Sequence, residues 1–380
     1  MRHAIVGIGL LLVLGFLALS STSVIQFQST VAPIALEQGA EVLTKEYISK
    51  KLTIDRIYGS MTGPYDKFTA QLEEGGTPEA VWIKNIDFIV LDADGKEEAS
   101  GKNFCHGQFF FDDMQEFSAV NEQRFHRSRT LPRKVFTGIQ GQLDLPLPEG
   151  FGFPLYTDEK FELVTMAFNL EPDIEPFDMR IKTRISYVRD KDTNGQMRAL
   201  GKSAIDITLP LSEDTFETEG THSAYFVKMD EEFSTGRHAS KQANLRNIGN
   251  DLKGTNHFYV TPGRHEYKYQ LMGTDIVPFN TTVHMMVGHL HPYGELVEIT
   301  DLTTNELLFT SYALQNPNFY YVQNMTSYSS SEGIAFYLDH EYEYRAVYNN
   351  TSDKDIDAMA VLYFYFYDKA FEREMVVDAT

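Results

Sequence analysis

The residues best suited to chemistry are His289 and His291, in the run Val283-His-Met-Met-Val-Gly-His-Leu-His-Pro-Tyr-Gly294. On a strand, residues two apart share a face, so both imidazoles point the same way, ~7 Å apart along the chain. Such a pair can converge on one ion. Pro292 ends the strand and puts the pair at a rim that a ligand can reach. His284 stands five residues earlier, on the opposite face by strict alternation. A bulge at Gly288 would bring it round to the metal side. Otherwise it is a hydrogen-bonded histidine of the other face.

A third donor type comes from Asp357-Ala-Met-Ala-Val-Leu-Tyr-Phe-Tyr-Phe-Tyr367. Ala358, Ala360, Leu362, Phe364 and Phe366 form one apolar face. Met359, Val361, Tyr363, Tyr365 and Tyr367 form the other. Thioether is a soft ligand that favours Cu(I), and imidazole serves both copper oxidation states, so His289, His291 and Met359 together suit copper. Zinc more typically asks for a third histidine, a carboxylate or thiolates. Cys105-His106 is a candidate half of a second metal site. Its alternative is a buried small residue beside a structural imidazole.

These residues need elements to hold them, and the chain reads as strands. It has 380 residues, enough for two domains with a core each. Phe and Tyr are abundant, which favours β structure. Strands are expected at 82–91, 161–168, 180–188, 258–261, 281–291, 295–299, 306–310, 341–349 and 358–367. Asp92-Ala-Asp-Gly95 and Asp190-Lys-Asp-Thr-Asn-Gly195 read as hairpin turns. The second imitates the start of a calcium loop, but Gly201 stands where the bidentate glutamate belongs. The best helix candidate is 37–51. The expected architecture is all-β: two jelly-roll-like β-sandwich domains in tandem, at 52–217 and 256–380, joined by a polar segment at 218–255.

Composition narrows the function. The net charge of −21 disfavours nucleic acid as a partner. The single cysteine, Cys105, rules out an intramolecular disulfide and thiolate-based zinc or iron–sulfur sites. No phosphate-binding glycine loop or nucleophile elbow is present. Residues 1–23 carry Arg2, an apolar run from Ala4 to Leu19, and small residues after it, as a signal peptide or an uncleaved anchor does. Residues 24–51 then form a linker that includes the helix candidate. Either reading of the leader places the protein outside the cytoplasm, secreted or periplasmic, with membrane association through this segment if it is retained.

The two C-terminal runs quoted above resemble the catalytic domain of the ascorbate-dependent type II copper monooxygenases, the peptidylglycine α-hydroxylating and dopamine β-monooxygenase family. Residues 148–368 are more similar still to uncharacterised bacterial relatives, through Pro148-Glu-Gly-Phe-Gly-Phe-Pro154 and Asp301-Leu-Thr-Thr304. The resemblance implies two jelly-roll domains with one copper each. It implies dioxygen activation at His289, His291 and Met359, and a role for Tyr363, four residues after the methionine. Cys105-His106 stands where the family's electron-transfer copper has an adjacent histidine pair, and Asn169 where its third histidine is sought. Val287 replaces the arginine that holds the carboxylate of peptide substrates. The implied activity is C–H hydroxylation of an unnamed small-molecule or peptide substrate, driven by an external reductant. The alternative is a non-catalytic copper-binding or copper-delivery protein of the cell envelope.

Overall fold

In the computed structural model, residues 40–58, 61–96, 101–111, 134–171, 174–210, 245–247, 253–317 and 321–370 are described. The leader therefore lies outside the described residues, as does most of the polar segment at 218–255. Within that segment, two short strands, Leu245–Asn247 and Lys253–Thr255, form a small sheet with Leu209–Pro210. The chain is all-β: among the described residues the only helices are two single 3-10 turns.

The longest sheet runs in the order Leu43–Ile48, Phe177–Arg189, Ala80–Asp92, Phe151–Tyr156, Arg198–Asp206, Ala360–Tyr367, Thr281–Leu290 and Ser327–Phe336. Its two halves meet at Arg198–Asp206, which pairs in parallel with Phe151–Tyr156 and antiparallel with Ala360–Tyr367. A four-stranded sheet (Tyr65–Ala70, Phe161–Ala167, Phe104–Phe111, Lys134–Ile139) belongs to the first half of the chain. A five-stranded sheet (Gly263–Met272, Glu341–Asn350, Gly294–Asp301, Glu306–Gln315, Val322–Met325) belongs to the second. The layers make β-sandwiches, and two hydrophobic clusters fill them.

The strands that carry the candidate site form the wall between these clusters. Met285, Val287, Val361, Tyr363 and Tyr365 join the first, with Met359 packed against it. Val283, Met286, Leu290, Ala360, Leu362, Phe364 and Phe366 join the second. The alternation in 357–367 is therefore real, but both of its faces are interior. The face that bears Met359 looks into the first half of the chain.

Four local expectations change. Residues 43–48 form an edge strand on Phe177–Arg189, not a helix. Leu43 and Tyr47 pack against the first cluster, and a spacing of four puts them on one face in either conformation, so the ladder decides. Asp92–Gly95 is not a hairpin, because Ala80–Asp92 and Phe104–Phe111 do not pair, and Asp190–Gly195 is not one either, because Phe177–Arg189 and Arg198–Asp206 do not pair with each other. Its Asp190 carboxylate accepts the Trp82 indole N–H at 2.7 Å, which commits it to the core. The bulge in the histidine strand lies between Val283 and Met285, at His284, not at Gly288. Gly288 serves a close approach instead: a Cβ there would lie 2.6 Å from the Ser311 hydroxyl and 2.8 Å from Val297.

Candidate metal centre

Two ladders bring the donors together. Thr281–Leu290 pairs with Ala360–Tyr367 so that His289 faces Val361 and Leu290 faces Ala360. Phe258–Val260 pairs with Ile356–Ala358 so that Phe258 faces Ala358 and Tyr259 faces Asp357. Continued by one residue, both registers converge on Met359, with His291 on one side and His257 on the other. Three of the donors are thus neighbours across strands, although they are distant in sequence.

A buried phenol locks this convergence. The Tyr348 hydroxyl accepts the His291 N–H at 3.0 Å and the Met359 N–H at 3.3 Å. It donates to the Met359 carbonyl at 2.6 Å. Tyr348 is fully buried, so water does not compete for these bonds. Tyr293, with φ at 69°, then turns the chain beyond His291 into Gly294–Asp301.

Around this frame the side chains cluster. The rings of His289 and His291 lie 5.3 Å apart, and those of His257 and His291 5.7 Å apart. The Asp357 carboxylate reaches Nδ1 of His291 at 3.2 Å and Nδ1 of His257 at 3.6 Å. Burial alone would raise the Asp357 carboxyl, but the two imidazoles outweigh it and hold it well below the usual carboxylate range. For His257, burial works downward, and the Asp357 contact outweighs it and raises the ring above its ordinary value.

His289 is the opposite case. The residue is half-buried, and Nδ1 is enclosed with no hydrogen-bond partner among the described residues. Burial, followed by the fields of His291, His257, His106 and Lys134, pushes it well below the ordinary histidine range. A neutral imidazole with an unsatisfied nitrogen, in a nest of other imidazoles, is what a metal ligand requires and a packing histidine avoids. His289 and His291 offer nitrogen donors, and Met359, packed against the first cluster, offers a thioether, a set of donor types that suits copper.

The other residues singled out by sequence divide clearly. Tyr363 is buried on the same face. Its hydroxyl and the Lys202 amine share the Thr137 hydroxyl, the amine at 3.0 Å, and the amine lies 4.6 Å above the Tyr363 ring. His284 is buried away from the cluster. Its Nε2 pairs with the Thr282 hydroxyl at 2.7 Å, its Nδ1 with the Ser330 carbonyl at 2.9 Å, and its ring stacks on Phe151. His106 is buried on Phe104–Phe111, its Nδ1 3.3 Å from the Cys105 sulfur, and its field reaches His289. Asn169 is spent on the backbone, bonding the carbonyls of Arg56 and Glu171.

His257, Asp357, Tyr348 and Lys202 were not legible as site residues. Asp357 carries a usable signal, because it shares alternation parity with Met359 and Tyr363. His257 has none, since only the pairing of Phe258–Val260 with Ile356–Ala358 brings it in.

No family model and no curated protein matches the sequence. Solved structures similar in outline include the STIV MCP (9% identity, 86% of this chain and 97% of that chain, TM-score 0.28). The PBCV-1 virus capsid is similar at 7% identity, over 89% of this chain and 97% of that chain, with a TM-score of 0.28. PNGF-II is similar at 6% identity, over 86% of this chain and 66% of that chain, also with a TM-score of 0.28. Likeness at this level does not extend to chemistry.

Proposed function

We propose that this chain is a copper-dependent monooxygenase-like protein whose copper is held by His289, His291 and Met359. The observation that carries the reading is the enclosed, unpartnered Nδ1 of His289 beside the His291 ring. Bound copper would supply dioxygen activation for hydroxylating a C–H bond, with electrons from an external reductant.

The protein's own part is positional. Burial and neighbouring rings keep His289 neutral and therefore able to ligate. Tyr348 fixes His291 and Met359 relative to one another through their backbones. The Asp357 carboxylate steadies the His291 ring. Tyr363 lines the same face, with its hydroxyl engaged by Thr137. Val287 is buried in the first cluster, so that strand offers no cation to a substrate carboxylate. This argues against a peptidylglycine-type substrate. The reading includes export to a secreted or periplasmic location, with membrane retention if the leader is uncleaved.

The burial of Val287 also favours a second reading, copper binding or delivery in the cell envelope without catalysis. Anaerobic titration with Cu(I) tests the shared claim. One ion per chain is expected, with binding lost in His289→Ala and in Met359→Ala. Unchanged affinity in both variants rejects the site. Reductant-dependent oxygen consumption by the copper-loaded protein then separates the two readings: uptake supports the oxygenase, and its absence supports the binding protein.

A further inference from the structure

His291 belongs to the proposed copper site, and His257 and Asp357 gather beside it, bringing two imidazoles and a carboxylate to one place. A good N–H···O bond to a carboxylate spans ~2.7–2.9 Å. Here His291 Nδ1 lies 3.2 Å from one Asp357 oxygen and His257 Nδ1 3.6 Å from the other, and His291 Nδ1 also lies 3.3 Å from the Asp357 carbonyl. Two ligands on one ion, with bonds of ~2.1 Å at roughly 90–110°, stand ~3.0–3.4 Å apart; the His291 distance falls in that window and the His257 distance lies just beyond it. One donor atom from each of His257, His291 and Asp357 lies within 4.8 Å of the others. All three side chains keep some solvent exposure, at 17%, 9% and 21%, so an ion can enter.

We propose that His257, His291 and Asp357 form a second, harder ligand face for a borderline divalent transition ion, sharing His291 with the softer His289/Met359 face. Two imidazoles and a carboxylate suit Zn2+, Co2+ or Cu2+, whereas the thioether face suits Cu+. His291 cannot serve two ions through one lone pair, so the two faces compete for a single ion or pass it between them. The assignment of the soft face rests on the proposed function above, while that of the hard face rests on the clustering of His257, His291 and Asp357.

The test measures affinities for Co2+, followed by its visible absorption, and for Cu+, by competition with a chromophoric chelator. Both use the full chain, as wild type and as His257→Ala, Asp357→Asn and Met359→Leu. Wild type is expected to bind one Co2+. His257→Ala and Asp357→Asn should each weaken Co2+ by at least about 100-fold, beyond the 10- to 100-fold typical of groups that merely orient a ligand. Met359→Leu should leave Co2+ binding within a few-fold while weakening Cu+. Circular dichroism confirms that each variant is folded. If Asp357→Asn unfolds, His257→Ala decides alone. Losses of Co2+ affinity below about 100-fold, or no Co2+ binding by wild type, overturn the inference. Failure of wild type to bind Cu+ overturns the copper reading instead, and leaves the Co2+ result to stand by itself.

Discussion

Replacing Tyr348 with phenylalanine removes one oxygen atom and three hydrogen bonds. The ring is fully buried and packs edge-on against Phe258, a contact that phenylalanine keeps. The lost partners are the N–H groups of His291 and Met359 and the Met359 carbonyl. At about 1 kcal/mol for each such bond, with no water able to replace the hydroxyl, Tyr348→Phe should destabilise the protein by about 3 kcal/mol. Urea unfolding should show this as a lower midpoint at an unchanged slope. The same tether sets the spacing of two proposed copper ligands, so copper affinity should fall by about 10- to 100-fold. Tyr342→Phe is the control. Tyr342 is equally buried, and among the described residues its hydroxyl bonds the backbone of Tyr337, at 3.0 and 3.4 Å. It should cost about 1–2 kcal/mol and leave copper binding unchanged. Wild-type copper affinity in Tyr348→Phe, or an equal loss in Tyr342→Phe, would refute the idea that this phenol positions the site.

Other outcomes follow from buried titratable groups. Lys202 is enclosed, with the Thr137 hydroxyl and the Tyr363 and Tyr365 rings as its neighbours and no carboxylate partner among the described residues. Burial and then the field of Lys134 hold its amine well below the ordinary lysine range. In the unfolded chain the amine is protonated up to about pH 10, so wild-type stability should rise with pH through the alkaline range. Lys202→Met should be more stable at pH 7, by about 1–3 kcal/mol, and lack that rise in urea unfolding at pH 7 and 9.5. His284 is pulled down to about 4, mainly by burial. Its contribution is complete above the ordinary histidine value of 6.5 and is lost as pH falls through about 4. The expected slope is up to about 1.4 kcal/mol per pH unit, and His284→Gln should flatten it in unfolding series from pH 7 to 4.

Strands that pack on two faces were the most legible part of the fold. The sequence expectation for 281–291 meets Thr281–Leu290, and that for 341–349 meets Glu341–Asn350. Period-two alternation and β-branched or aromatic residues survive any partner choice. Pairing partners were not legible. Asp190–Gly195 ends one strand and begins another in the same sheet without making them neighbours, a choice set by packing between distant segments. The same limit applied to the site. The H-x-H spacing and the parity of Met359 could be read locally. His257 could not, because it arrives through a three-residue ladder whose partner lies about a hundred residues away. Tyr348 was hidden for a related reason, since a tyrosine that reaches across a sheet with its hydroxyl looks in sequence like any other strand aromatic.

In the proposed site, one copper sits between His289, His291 and Met359. X-ray absorption at the copper edge of the Cu(I)-loaded protein tests it most directly. Nitrogen scatterers from imidazole together with one sulfur scatterer are expected, with loss of the sulfur contribution in Met359→Ala. A sulfur signal that persists in Met359→Ala, or a wild-type protein that retains no copper through dialysis, would contradict it.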